Sequence, residues 1–190
     1  YEAFNTDEIG KIMNVLDFNN TYDVLILVAF LTGLRQGELL ALVWEDIDFE
    51  NKHLSVNKAL SRIQVRDDEG NTIDDDNLKK TRLIIKQPKT ESSNRIIPIQ
   101  PNIIPILKKH KISTAEINLK NGIPNNENSL VFLSQKGTII NAANLRRHWV
   151  SIIKKAGVKY LKFHCIRHSF STQLLEKGVN FKYIQQLMGH

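Results

Sequence analysis

Six side chains of this 190-residue chain have the types and spacing needed to bind a phosphate and move a proton. A guanidinium offers a planar fork to phosphoryl oxygens, and an imidazole exchanges a proton near neutral pH. A positioned lysine can protonate a leaving group. The set is Arg35, Glu38, Lys89, His164, Arg167 and His190. Such residue types could bind a phosphate and transfer a proton if the fold brought them together.

Each member of the set also has an ordinary structural interpretation when taken alone. Arg35 stands between two glycines after an apolar segment, and it could form a solvated pair with Glu38 at a helix end. Lys89 lies in a predicted turn, where lysines usually only improve solubility. His164 could be a packed or capping residue, and His190 at the end of the chain means nothing by itself.

The segment around His164 gives the strongest local signal. His164 and Arg167 are three residues apart, so on a helix they share a face. Phe163, Ile166 and Phe170 recur at helical spacing and mark the buried side. The spacing therefore predicts a histidine and an arginine that point toward the same surface.

The charge of the chain is uneven. The net charge is +6, but residues 140–190 hold nine Lys or Arg against one Glu, whereas residues 1–139 hold 17 bases and 19 acids. A strongly basic C-terminal third suggests a polyanionic partner such as nucleic acid, with a solubilising basic surface as the alternative. A single cysteine excludes a disulfide framework and a multi-cysteine zinc site. The longest apolar run, residues 24–31, is too short to span a membrane.

The elements that must position these residues are predicted from periodicity and from turn residues. The order is helices, then a small sheet, then helices, so the predicted class is α+β, mainly helical, around a small antiparallel three-stranded sheet. Helices are predicted near residues 7–17, 22–34, 36–42, 102–111, 141–156, 163–177 and 180–188, and strands near 53–65, 81–86, 95–99 and 130–133. The acidic segment 67–76 and the segment 87–94 are predicted as loop and turn.

Four motifs follow one another along these elements. They are Arg-x-x-Glu after a glycine, Pro-Lys-Thr-x-x-Ser-x-Arg-x-Ile-Pro, His-x-x-Arg-His-x-Phe-x-Thr, and Leu-Met-Gly-His. In this order the series resembles the catalytic domain of the tyrosine recombinases, also called phage integrases. The resemblance covers nearly the whole chain and implies a bacterial phage or mobile element as the source.

The resemblance implies a role for each residue. Arg35 and Arg167 are expected to bind the non-bridging oxygens of a scissile DNA phosphate, and Glu38 to support the site. His164 and His190 are expected to complete the constellation, and Lys89 to protonate the leaving 5′ oxygen. The implied reaction is site-specific recombination through a 3′-phosphotyrosine, with neither a metal nor another cofactor.

The nucleophile is expected to lie outside this chain. In the family, the nucleophilic tyrosine follows the Gly-His motif by a short stretch, and the tyrosines at positions 1, 22, 160 and 183 do not stand there. We therefore expect residues 1–190 to be one catalytic domain, truncated before the tyrosine and without the N-terminal DNA-clamping domain. Such a fragment should bind DNA without cleaving it.

Double-stranded DNA attachment sites are the expected partner. Arg95, Arg146, Arg147 and Lys182 are predicted to contact DNA. A full-length protein is expected to act as a tetramer on DNA in the bacterial cytoplasm, with no membrane association, whereas the fragment should be monomeric.

Two other functions fit parts of the sequence. A non-catalytic helix-turn-helix module would use the last helix to read the major groove through Lys182, Gln185 and Gln186. An RNA-processing or metal-dependent nuclease would lose its activity with a chelator.

Overall fold

The computed structural model describes residues 2–64, 81–86 and 94–189. Two predicted site residues, Lys89 and His190, lie outside this range, as do the predicted acidic loop and most of the predicted turn at residues 87–94. Within the described range the chain is mainly helical with small antiparallel sheets, which confirms the predicted class.

Helices form most of the described structure. They are α1 (Thr6–Asn14), α2 (Thr21–Thr32), α3 (Gln36–Leu39), α4 (Ile104–Lys120), α5 (Ala142–Ala156), α6 (Cys165–Glu176) and α7 (Phe181–Met188), with short 3₁₀ turns at Trp44–Asp46 and Pro101–Ile103. Helix α2 is central, because nearly all of its residues are buried. Glycines end α2 and α5 in the left-handed conformation at Gly33 and Gly157.

The strands form two separate antiparallel sheets. They are β1 (Ile47–Asp48), β2 (His53–Val56), β3 (Ala59–Gln64), β4 (Thr81–Lys86) and β5 (Arg95–Pro98). The first sheet has the order β1-β2-β5, and β3 pairs with β4 in the second. The single strand predicted over residues 53–65 is therefore divided between two sheets.

Most helix ends differ from the sequence prediction by up to three residues, and two differences are larger. Helix α4 continues to Lys120 because its inner face buries His110, Thr114 and Asn118, which are polar and so leave no apolar periodicity to read. Residues 130–133 do not form a strand. Leu130 and Leu133 instead make isolated bridges with Val43 and Ile139.

The core joins the first and last parts of the chain. Trp149 on α5 is fully buried, and its ring contacts Phe4, Phe30 and Phe163. The Phe4 backbone N–H donates to the hydroxyl of Ser169 on α6 at 2.8 Å. This packing fixes α6 against the C-terminal end of α2, so Arg35 and Arg167 are brought together although they lie far apart in sequence.

None of the helices in the described residues is both long enough and apolar enough to cross a lipid bilayer.

Candidate active site

The turn between α2 and α3 positions Arg35. Gly33 adopts φ 63°, and a Cβ added there would lie 2.3 Å from the ring of Phe170 on α6. A larger residue would therefore push α6 away from this turn. Glu38 then accepts hydrogen bonds from the Arg35 backbone N–H at 2.7 Å and from Nη1 at 3.0 Å. The Arg-x-x-Glu spacing thus fixes both the backbone and the side chain of Arg35.

Arg167 is buried between the ends of two helices. Its side chain is on α6, the residue is 3% exposed, and Nη1 donates to the Gly33 carbonyl at 2.8 Å. Nη2 donates to the Met188 carbonyl at the end of α7. Burial and the neighbouring Arg35 charge lower the pKa of Arg167 to about 10, so the guanidinium stays protonated at neutral pH.

Glu38 is shared between two arginines. Arg95 on β5 donates to both carboxylate oxygens of Glu38, at 3.1 and 2.8 Å, and both side chains are only 6% exposed. Burial raises the pKa of the Glu38 carboxyl, but the hydrogen bonds and charge of Arg95 and the bonds from Arg35 outweigh it and hold this pKa below its usual range. Glu38 is therefore an anion at neutral pH.

His164 stands at the entrance of the site. It is an exposed residue at the N-cap position of α6. Its ring contacts the edge of the His168 ring, with centroids 5.1 Å apart. Partial burial, followed by the charges of Arg167 and Arg35, lowers the pKa of His164. The imidazole is therefore neutral at pH 7 and can accept a proton.

These side chains surround one cavity. Its volume is about 250 Å³, and its lining includes Arg35, His164, Arg167, His168, Gln185 and Met188. A larger cavity of about 660 Å³, near Asn20 and Ser134, contains none of the predicted site residues. The smaller cavity therefore brings together two guanidiniums and a neutral imidazole.

The predicted DNA-contacting residues divide into two groups. Arg146 and Arg147 on α5 and Lys182 on α7 are exposed and do not appear in the described lining of the cavity. Arg95 instead lies inside, against Glu38. The sequence signal that indicates this is the alternation along β5, which places Arg95 on the same face as the buried Ile97. The contribution of Gln185 and Met188 to the cavity has no such signal.

A titration can check the electrostatics of this site. The pKa of His164 is expected below the ordinary histidine value of about 6.5, because the ring is partly buried and because protonation would place a third cation beside Arg167 and Arg35. Replacing Arg35 with glutamine should raise the His164 pKa. NMR of the ring protons, assigned with the His164→Gln variant, measures both values. A wild-type His164 pKa above 6.5 would contradict the described electrostatics.

Comparison with known proteins decides the family. The model of the phage integrase family matches residues 2–190 of the chain. The chain belongs to this family. Its relatives include a XerC-like tyrosine recombinase of Caldanaerobacter subterraneus subsp. tengcongensis, which is 41% identical over 192 residues that cover 100% of this chain and 47% of the relative. The ICEBs1 integrase of Bacillus subtilis is 27% identical over 163 residues, or 86% and 40% of the two chains. The chain thus spans less than half the length of these phage integrase relatives.

Solved structures of tyrosine recombinases share the fold. The Tn1549 transposon integrase in complex with transposon right end DNA matches with a TM-score of 0.75 at 23% identity, over 100% of this chain and 58% of the other. The XerH recombinase in its pre-cleavage complex with difH substrate matches with a TM-score of 0.68 at 23% identity, over 99% and 47%. The helical architecture described above is therefore that of a phage integrase catalytic domain.

Proposed function

We propose that this chain is the catalytic domain of a site-specific DNA recombinase that cleaves and rejoins strands through a 3′-phosphotyrosine. The observation that carries the proposal is the convergence of Arg35, Arg167 and His164 on one cavity in a member of the phage integrase family. Two fixed cations and a neutral imidazole match a phosphate that gains negative charge in the transition state.

Each residue has a definite part in this reaction. Arg35 and Arg167 bind the non-bridging oxygens of the scissile phosphate, and His164 exchanges a proton or donates a hydrogen bond at the same group. The tyrosine oxygen forms a bond to phosphorus as the bond to the 5′ oxygen breaks, and a general acid protonates that oxygen. Lys89 is the proposed acid, and His190 the proposed additional donor. Rejoining reverses these steps with the 5′ hydroxyl of another strand, so no ATP is consumed.

The proposed nucleophile is a tyrosine outside this sequence. Among the described residues, Tyr22 packs against His148, and Tyr160 and Tyr183 are exposed. None of these three appears in the lining of the cavity. We therefore expect the 190-residue chain to bind duplex DNA without forming a covalent adduct.

The exposed bases fit the flanking DNA. The exposed residues on α5 and α7 would contact the phosphate backbone of the flanking DNA; they are Arg146, Arg147 and Lys182. The proposed whole protein acts on DNA attachment sites as a tetramer in the bacterial cytoplasm, and the 190-residue chain alone is monomeric.

DNA binding by the 190-residue chain tests this function. Fluorescence anisotropy with a duplex should show an affinity that falls steeply with salt, and Arg147→Gln should reduce the slope of log affinity against log salt by about 1. A nicked suicide substrate should yield no covalent adduct with this chain. An affinity that does not change with salt would contradict the proposal.

The helix-turn-helix alternative predicts a different result in the same DNA-binding assay. It requires binding to survive the combined loss of Arg35 and Arg167 but to collapse when Lys182 and Gln185 are changed. The proposed function requires that both pairs contribute, since the first pair holds the central phosphate and Lys182 a flanking one.

A further inference from the structure

Three arginines bind three successive carbonyl groups at the end of α7. Arg95 Nε donates to the Leu187 carbonyl at 2.7 Å, Arg167 Nη2 to the Met188 carbonyl, and Arg35 Nη2 to the Gly189 carbonyl at 3.3 Å. The final carbonyls of a helix lack partners within the helix and carry partial negative charge, so cations stabilise them. We call Arg35, Arg95 and Arg167 the arginine triplet.

The members of the triplet differ in exposure. The Arg35 side chain is 39% exposed and lines the cavity, and the buried Arg167 lines it as well. Arg95 is 6% exposed and is not in the described lining. Its guanidinium is directed at the Leu187 carbonyl and at both oxygens of Glu38. Among the described residues, Arg95 therefore contacts Glu38 and the end of α7 and does not line the cavity.

The Glu38 carboxylate and a bound phosphate would compete for the guanidinium of Arg35. Its Oε1 accepts from Arg35 Nη1 at 3.0 Å and also from Arg95 Nη1 at 3.1 Å. A buried carboxylate needs paired charge, and a two-pronged pair with a guanidinium is the strongest form of that pairing. While the Arg95 guanidinium pairs with both oxygens of Glu38, the carboxylate needs only one hydrogen bond from the Arg35 guanidinium.

From this arrangement we propose that Arg95 is a positioning residue of the phosphate site: it satisfies Glu38 and anchors the end of α7, and thereby leaves the Arg35 guanidinium able to bind phosphate. The inference rests on the proposed function, since it assigns Arg95 to the site where that function places the scissile phosphate. Without Arg95, the Glu38 carboxylate would pair with the Arg35 guanidinium instead. The Leu187 carbonyl would also lose its hydrogen-bond donor.

The test measures phosphate binding at Arg35 in the 190-residue chain, with inorganic phosphate as the probe. NMR of the Arg35 Nε–H group follows the titration, and a duplex is titrated in parallel. Arg95→Gln should weaken phosphate binding by about tenfold or more, because Glu38 then holds Arg35 in competition with the ligand. In Arg95→Gln/Glu38→Gln the competing charge is gone, so the affinity should return to within about threefold of wild type. Lys120→Gln removes one exposed charge at the end of α4 and is the matched control, expected to change binding less than twofold.

The rescue distinguishes positioning from a purely structural role. If Arg95 only stabilised the fold, adding Glu38→Gln would not restore binding. Undiminished binding in Arg95→Gln, or the absence of rescue, overturns the proposal. Where Arg95→Gln does not fold, Arg95→Lys serves instead: its single ammonium pairs with Glu38 but not also with Leu187. Phosphate affinity should then stay within about threefold, while amide exchange at Met188 and Gly189 accelerates at least about tenfold; unchanged exchange overturns the anchoring role.

The two proposals fail separately. If the wild-type chain binds inorganic phosphate at Arg35 but shows no salt-dependent binding to the duplex, the proposed function fails and the role of Arg95 stands. If it binds the duplex and Arg95→Gln changes neither titration, the role of Arg95 fails and the proposed function stands.

Discussion

Replacing Arg167 with glutamine should slow formation of the covalent protein–DNA adduct by about 10²–10³-fold, the usual effect of removing one donor aimed at transition-state charge. The experiment uses a form of the protein that includes the proposed tyrosine nucleophile, and it measures the single-turnover rate on a nicked suicide substrate at saturating DNA. Arg167 is the buried cation of the cavity, so water cannot replace its charge at the phosphate. Duplex affinity should fall much less than the rate, because the flanking bases still hold the DNA.

Folding must be checked separately for this variant, because Arg167 also donates to the Gly33 and Met188 carbonyls. Arg167→Lys keeps the positive charge but not the planar fork, and should slow the reaction to a similar extent. Lys120→Gln is the control for the loss of one charge and should leave the rate unchanged. An Arg167→Gln protein that melts as wild type does and still forms the adduct at the wild-type rate would show that the assigned role is wrong.

Replacing Trp149 with alanine should lower the free energy of unfolding by about 3–5 kcal/mol, the range measured for large aromatic side chains in cores. The Trp149 side chain is fully buried, contacts three aromatic rings, and donates from Nε1 to the Leu161 carbonyl at 2.8 Å. The truncation opens a cavity and leaves that carbonyl without its donor. One of the three rings belongs to Phe163, next to His164, so the entrance of the candidate site should loosen as well.

Urea unfolding followed by circular dichroism measures this loss, and the fluorescence of Trp44 gives a second probe of the same transition. Trp149→Phe is the matched variant: it keeps most of the aromatic packing but not the Nε1 donor, and should cost about 1–3 kcal/mol. A loss below 1 kcal/mol in Trp149→Ala would mean that the packing between α2, α5 and α6 does not depend on this residue.

The sequence predicts Arg35, Glu38, His164 and Arg167 as site residues, and the structure places these four residues close together. Arg95 was predicted to contact DNA, and the structure places it against Glu38. Its side chain is 6% exposed and donates to Glu38 and to the Leu187 carbonyl. Residue type alone did not reveal it, because an arginine in a basic protein is most often exposed.

The helix ends were predictable where the determining interactions are local. Gly33 and Gly157 end α2 and α5 because a left-handed residue closes the last turn, and such a signal lies within a few residues. The end of α4 was predicted about nine residues too early. Its buried face carries His110, Thr114 and Asn118, and the His110 ring is hydrogen-bonded to the Val131 carbonyl at 2.8 Å. Val131 lies 21 residues from His110 in the sequence, so no local sequence pattern predicts this contact.

By itself, the sequence indicated the α+β class and the side chains whose chemistry suits a phosphate, because helical periodicity and residue type are properties of short stretches of chain, and its resemblance to the tyrosine recombinases pointed to the family that the comparison shows. Only the tertiary structure decided which of these side chains meet. Arg35, Arg95 and Arg167 come from a helix start, a strand and a second helix, and they converge because the packing around Trp149 and the pairing of β2 with β5 bring those elements to the end of α7. Burial then fixed what each arginine can do: the exposed Arg35 faces the cavity, whereas the enclosed Arg95 has Glu38 and a helix end as its partners.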